Sequence, residues 1–326
     1  MAGAFFDRVQ GLTESCLTRR RRIRRIKKEK LRGKNPLIDW IETILWAVGV
    51  VLLLNQYLFQ AYAIPSGSMI DTLLIRDRIF VNKLVFGPEL LPGLGKLPSP
   101  VKPKRNDVIV FENPSYISKG PVFDIAHRVL FMLSFSLWDI DRDESGEVRA
   151  QFLIKRAAGM GGDRFVSDRG EMLIRFPGED HWTAERDYNE ALGLDHNLSR
   201  LVAATDYPAL EAAGKAAAYY DMGLSPPEAL TAQAAGASGL RYYDYFAYEA
   251  ARLLTLRLIH PEDGRYRAQY LRNTLGWYVP EGYVLPLGDN RDNSRDGRYF
   301  GPVKASRVLG QGVFIFWPFP RMGLIP

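Results

Sequence analysis

Two serines spaced two residues apart, Ser66 and Ser68 in Pro65-Ser66-Gly67-Ser68-Met69, follow directly on the one stretch of the chain apolar enough to cross a membrane. A serine hydroxyl does acyl-transfer chemistry only when a neighbouring base takes its proton. Histidine is the usual base, and the chain has His127, His181, His196 and His260. None stands in a motif-like context, and His127, in Ile125-Ala126-His127-Arg128, is the nearest candidate. Lysine is the alternative, provided it is neutral. Its ordinary pKa of about 10.4 must then fall by about three units or more, which burial in an apolar setting can supply. Lys155, among Phe152, Leu153, Ile154, Ala157 and Ala158, meets that demand, and the same pattern equally suits a strand lysine facing water.

Other chemistries have less to build on. The histidines lack ligand spacing such as HExxH, and a single cysteine, Cys16, excludes an internal disulfide and a Cys-rich metal site. No metal or cofactor is expected. The net charge of +6 is uneven: residues 1–34 hold 12 Lys/Arg against 3 Asp/Glu, leaving 31 against 34 in the other 292. A slightly acidic body offers no phosphate-binding surface, so nucleic acid is not an expected partner.

The elements that must position Ser68 begin with that tail. The run Arg19 to Lys30 is too charged to bury, and Thr43 to Ile64 follows with no Asp, Glu, Lys or Arg. A basic flank beside an apolar stretch long enough to span predicts a membrane helix with its N-terminus in the cytoplasm. Residues 1–36 are then a basic cytoplasmic tail, 37–62 a transmembrane helix and 63–326 an extracytoplasmic catalytic domain. A cleavable signal peptide is the competing reading, since Ala61-Tyr62-Ala63 has the small-x-small form of a cleavage site.

Beyond the serines, strands are expected at Ile79 to Phe86, Val108 to Phe111, Phe152 to Arg156, Tyr283 to Leu287 and Gly312 to Trp317. Gly87 to Pro103 reads as a loop, and Val129 to Trp138 as a core strand or a segment on the membrane surface. Residues 184–260 are Ala-rich and carry helix signals: Ser225-Pro226-Pro227-Glu228 opens one run and His260-Pro261 stops another. The closing aromatics Phe314, Phe316, Trp317 and Phe319 suit either a core or a lipid interface. The expected fold is mainly β: a membrane helix, then a β-rich domain with an Ala-rich helical insertion at about 184–260.

Four segments together resemble the ordered boxes of type I signal peptidases, membrane-anchored Ser/Lys proteases that remove signal peptides. They are Pro65 to Met69, Asn106 to Val110, Lys155-Arg156 with Gly159 and Gly162-Asp163, and Gly288-Asp289-Asn290-Arg291-Asp292-Asn293-Ser294. The resemblance implies Ser68 as nucleophile and Lys155 as general base, acting through an acyl-enzyme. It implies Ser66, with the Ser68 backbone N–H, as donors to the oxyanion, and Ser294 as the group that holds the lysine amine. It further implies that Asp296 and Arg298 brace the turn, that Asp289 pairs with Arg156, and that Ile64, Leu73 and Ile154 line a small pocket for an alanine side chain. Exported preproteins and the lipid bilayer are the implied partners, cleavage falling after small-x-small sites at the bacterial cytoplasmic membrane.

The chain departs from the family pattern where Asp71 and Gly161 stand for usual prolines and Gly297 for a common serine. The insertion is not explained by the resemblance, and is expected to be a peripheral subdomain outside the active site. Two other readings stay open: a silent, membrane-tethered interaction protein of the same fold, and a self-cleaving Ser/Lys regulator.

Overall fold

The computed structural model describes residues 18–19, 21–23, 36–91, 94–99, 101–134, 138–142, 146, 149–194 and 198–326. Most of the basic tail, Cys16 and His196 lie outside the described residues. The chain divides into two compact units, residues 1–52 and 53–326.

Helix α1, Pro36–Tyr57, starts on a proline, whose missing N–H costs nothing in the first turn. Residues Leu37–Tyr57 are long and apolar enough to cross a membrane, and 22 residues at about 1.5 Å each span roughly 33 Å. The apolar stretch expected as one span to residue 62 is cut short. Phe59–Ala63 is strand β1, paired antiparallel with β2, Arg78–Asn82, from Phe59↔Asn82 to Ala63↔Arg78. Gln60 and Tyr62 are buried there, and pairing supplies the backbone partners that continued apolarity could not.

The main sheet runs β1-β2-β13-β5-β6-β11-β12, with β14, Gly323–Leu324, on β13. Its other members are β5, Val108–Glu112, β6, Phe152–Gly159, β11, Tyr283–Leu287, β12, Val303–Lys304, and β13, Val308–Trp317. β6 is the strand that matters. Its first half pairs only with β5, in register Ile109↔Lys155, while Arg156 and the residues after it also meet β11, in register Leu287↔Arg156. One core packs Tyr62, Ile64, Met69 and Leu73 against Ile79, Val81 and Val110. On the other side of the sheet sequence, Phe86, Ile109, Phe111 and Val308 form a second.

Two expectations are corrected. Within the expected loop Gly87 to Pro103, Glu89–Leu91 (β3) and Leu94–Lys96 (β4) form a hairpin. In the run Val129 to Trp138, expected as a core strand or a segment on the membrane surface, residues 129–133 are not a strand but the end of helix α2, Pro121–Leu133. Phe123, His127 and Phe131 stack at intervals of four, a helical period that the apolar run concealed. Of the closing aromatics, Phe314 and Phe316 are half-buried, while Trp317 and Phe319 are exposed.

A second sheet, β10-β7-β8-β9, carries the insertion. β7, Arg164–Asp168, and β8, Glu171–Arg175, form its centre; β9, Thr183–Ala184, and β10, Trp277–Tyr278, mark where the chain leaves and returns. Between them lie α3, Glu185–Ala191, α4, Tyr207–Asp221, α5, Glu228–Ala235, α6, Tyr245–Ile259, and α7, Gly264–Leu275. The helical block therefore runs to Leu275, beyond the expected end at 260. His260-Pro261 ends α6 as expected, but Asp263 caps a further helix by accepting from Arg265 N–H.

Candidate active site

Ser68 sits in a one-turn 3-10 helix, Gly67–Met69, between β1 and β2. The extended backbone of Ser66 lets the chain turn sharply into it. Lys155 lies on the half of β6 that, among the described residues, pairs with β5 and with no second strand. The two meet 87 residues apart in sequence: Lys155 Nζ and Ser68 Oγ are hydrogen-bonded at 2.6 Å, and Nζ also donates to Ile154 O at 3.0 Å. Both side chains are buried, Ser68 at 8% and Lys155 at 4% exposure. Of the two readings open for Lys155, the solvent-facing one is thereby ruled out. Burial pulls the lysine pKa down to about 8, although the carboxylates of Asp296 and Asp289 oppose the shift.

Asp289 and Arg156 anchor the turn that follows β11. Arg156 Nε and Nη2 donate to the two carboxylate oxygens at 2.9 and 2.7 Å, and Thr72 Oγ1 donates to Oδ2 at 2.6 Å. A bidentate pair fixes direction as well as distance. Asp296 accepts from Gly288 N–H and from the backbone and guanidinium of Arg298. Burial opposes ionisation of Asp296, yet the guanidinium of Arg298 beside it holds its pKa below the ordinary carboxylate value.

The turn is also seated on the segment of Ser68. Asn290 N–H donates to Ser68 O at 3.1 Å and its side-chain amide to Gly67 O at 3.0 Å. A Cβ at Gly288 would stand 2.1 Å from Ser294 Oγ and 2.6 Å from Ser68 O, so only glycine allows this approach. Gly297 is similarly confined: a Cβ would stand 2.8 Å from both Leu285 Cδ1 and the Pro286 carbonyl oxygen.

The remaining expected site residues are placed as follows. Ser66 is exposed on a cleft of about 630 Å³ that runs past Ser68 and Lys155, and its hydroxyl makes no capping bond. Ile64 and Ile154 line that cleft, whereas Leu73, fully buried, backs it from the core. Ser294 is buried, and its hydroxyl has no hydrogen-bond partner; the bond to the lysine amine expected of it is made instead by Ile154 O. His127 lines the far part of the cleft, where its Nε2 bonds Asp139 at 2.8 Å, and it is not the group that meets Ser68.

Sequence reasoning missed Thr72, Asn290, Asp292, Ser199 and Arg200. Asn290 and Asp292 lay inside the quoted motif, where a run of turn formers hid individual roles. Ser199 and Arg200 carried no signal, because an irregular segment between helices has no period to read. The insertion that holds them is not peripheral as expected: Ser199 forms a parallel bridge with Asn290.

Comparison with known proteins follows the same residues. The family described as Signal peptidase, peptidase S26, matches residues 37–317. The chain is 26% identical to Signal peptidase I of Haemophilus influenzae over 292 residues, 89% of this chain and 72% of that protein. It is 26% identical to Signal peptidase I of Pseudomonas aeruginosa over 311 residues, 91% and 79% of the two chains. To that of Aquifex aeolicus it is 27% identical over 281 residues, 85% and 82%.

Proposed function

We propose, since this chain belongs to the signal peptidase family, peptidase S26, that Lys155 and Ser68 are the base and nucleophile with which it cleaves signal peptides from exported preproteins. The observation that carries the assignment is the 2.6 Å contact of Nζ and Oγ in a buried setting. With a pKa of about 8, an appreciable share of Lys155 is neutral near pH 7 to 8.

Neutral Lys155 takes the Ser68 proton as Oγ attacks the substrate carbonyl. The oxyanion accepts hydrogen bonds from Ser66 Oγ–H, free at the cleft, and from Ser68 N–H, which as a first-turn helical amide has no intrahelical acceptor. Each such donor supplies about 3–4 kcal/mol. The Lys155 ammonium then gives its proton to the departing amine, leaving an ester on Ser68. Lys155 next takes a proton from water as the water oxygen attacks the ester, then gives that proton to Ser68 Oγ as the ester bond breaks, releasing the new C-terminal carboxyl group and restoring neutral Lys155. Ser294, whose buried hydroxyl has no partner among the described residues, serves as an orienting group for the amine.

Substrate enters as an extended strand. Among the described residues β5 is the strand that pairs with the first half of β6, and Ala63, Ile64 and Ile154 line the cleft beside Ser68. A peptide laid along β6 gains backbone bonds there. Ile64, Ile154 and Met69, backed by Leu73, leave room for a small side chain beside Ser68. This supports cleavage after small-x-small sites. The helix α1 serves as a single membrane span, and the basic tail places the N-terminus in the cytoplasm and the peptidase domain on the periplasmic side of the cytoplasmic membrane.

A serine-acylating inhibitor tests the assignment. It should add its mass to a peptide containing Ser68, and Ser68→Ala and Lys155→Ala should each abolish the addition. Labelling of Lys155→Ala at the wild-type rate would refute it.

A further inference from the structure

We propose that the segment Ser199–Val202 of the insertion is a positioning strap for the catalytic turn, latched by Arg200 and Asp292. The proposal rests on the reading of Ser68 and Lys155 as the reacting pair and adds what holds them in register.

The nucleophile's helix, the turn and the strap form three rungs. Asn290 N–H donates to Ser68 O on one side of the turn. On the other, Ser199 N–H donates to Asp289 O at 3.0 Å and Arg291 N–H donates to Ser199 O at 3.2 Å. Ser199 Oγ reaches past the turn to Asp71 Oδ2, at 3.2 Å, in the segment after the nucleophile. The strap thus touches both partners that must stay aligned.

The latch is built for direction. Asp292, 2% exposed, accepts Arg200 Nε on both oxygens at 3.1 and 3.0 Å, and its Oδ2 also accepts Leu201 N–H at 2.6 Å and Val202 N–H at 3.0 Å. Arg200 continues to Arg169 O in the β7–β8 turn and to the Tyr207 hydroxyl. Tyr207 in turn donates to Asp244, the N-cap of α6. Val202 packs with Tyr207 and Leu210, which roots the strap in α4. A second tie, Arg291 to Glu185 at 2.6 Å with both side chains buried, joins the turn to α3.

Arg200 and Asp292 are not among the residues that line the cleft of Ser68 and Lys155, so they are positioning residues. Releasing the strap frees the turn that carries Asp289, Ser294 and Asp296 beside Lys155. Water reaching the amine then favours its charged form. The charged groups around it, Asp289 and Asp296 from the turn, Arg298 paired with Asp296, and Arg156 on its own strand, lose their fixed distances together.

The test uses the full chain in detergent and a peptide with a small-x-small site. Arg200→Ala, Asp292→Asn and the double variant are compared with wild type, with Ser68→Ala as control. Each single variant should lower kcat at least tenfold, leave KM within about threefold and move the acid limb of the rate upward by half a pH unit or more. The double variant should be no worse than the poorer single, since both break one latch. If kcat and the acid limb stay at wild-type values while only Tm falls, the strap is merely structural and the proposal fails. Asp292→Asn keeps the size of the side chain and sets an amide N–H against the Leu201 and Val202 N–H groups, so it remains informative if Arg200→Ala does not fold. An active Ser68→Ala would instead sink the reading of the site itself; a dead Ser68→Ala beside full-rate latch variants would sink this proposal alone.

Discussion

Arg156 and Asp289, 133 residues apart, form a bidentate ion pair from which solvent is wholly excluded, with Thr72 as the third member. The pair joins β6, the strand of Lys155, to the turn that reaches Ser68. Removing one partner of such a pair leaves a buried charge and costs about 3–5 kcal/mol. Asp289→Ala should therefore lower the Tm of the full chain by roughly 10 °C and cut peptide cleavage at least a hundredfold. Arg156→Met combined with Asp289→Leu should recover much of the Tm and none of the rate. Single variants as stable as wild type, by calorimetry in detergent, would show that the pair carries little.

Gly288 is a contact, and its substitution reads the fit between the turn and the Ser68 segment. Gly288→Ala should abolish cleavage, since the methyl group meets Ser294 and Ser68 O. Adding Ser294→Ala should not restore it, because the clashes with Ser294 Cβ, at 2.6 Å, and Ser68 O remain. Gly297→Ser should lower both rate and Tm by pushing on Leu285 and Pro286. Steady-state kinetics beside thermal unfolding separates these outcomes, and a fully active Gly288→Ala would contradict the geometry.

The site was legible in the sequence where a residue's neighbours along the chain define its role. The motif residues Ser68 and Asp289 stand in such local runs, whereas the apolar setting of Lys155 suits a buried amine and a strand lysine facing water equally, and only the resemblance favours the first. The two strands that hold Ile109 and Lys155 are legible, but their pairing is not. What stayed hidden depends on long-range contact. Phe59–Ala63 reads as membrane span until β2 pairs with it, and the run from Val129 reads as core strand or membrane-surface segment until Phe123, His127 and Phe131 are seen in ring contact at intervals of four. The role of Arg200 exists only because the chain returns 92 residues later with Asp292.

The acid limb of the rate should follow Lys155. Cleavage should rise about tenfold per pH unit up to about pH 8 and level off above it. The same lowered pKa has a stability sign. Between about 8 and the ordinary 10.5 the unfolded chain binds the extra proton, so stability rises with pH across that window. Below it, the buried lysine is fully destabilising. Lys155→Met should thus raise Tm at pH 7, with the gain over wild type fading by pH 10.5, while abolishing cleavage. A variant less stable than wild type at pH 7 would contradict the burial cost.

Excision of the insertion is a harsher test of its role. A peripheral insertion could be replaced by a short Gly/Ser linker with peptide cleavage kept within about tenfold, since closing a longer loop costs only about 0.6 kcal/mol per doubling of its length. Replacing residues 185–275 removes Ser199, Arg200 and Glu185 from the turn, so a loss above a hundredfold is now expected in protein that still unfolds cooperatively. Cleavage of a soluble peptide within tenfold of wild type would return the insertion to a peripheral place.

The most direct measurement is the rate at which Ser68 is acylated in Lys155→Arg. Guanidinium stays protonated at any workable pH, so it can fill the space of the lysine and yet never take the serine proton. Single-turnover acylation by a peptide substrate, followed by mass spectrometry from pH 6 to 10, should show no Ser68 adduct above background in Lys155→Arg and a pH-dependent burst in wild type. An adduct formed at more than a few per cent of the wild-type rate would mean that Lys155 is not the base.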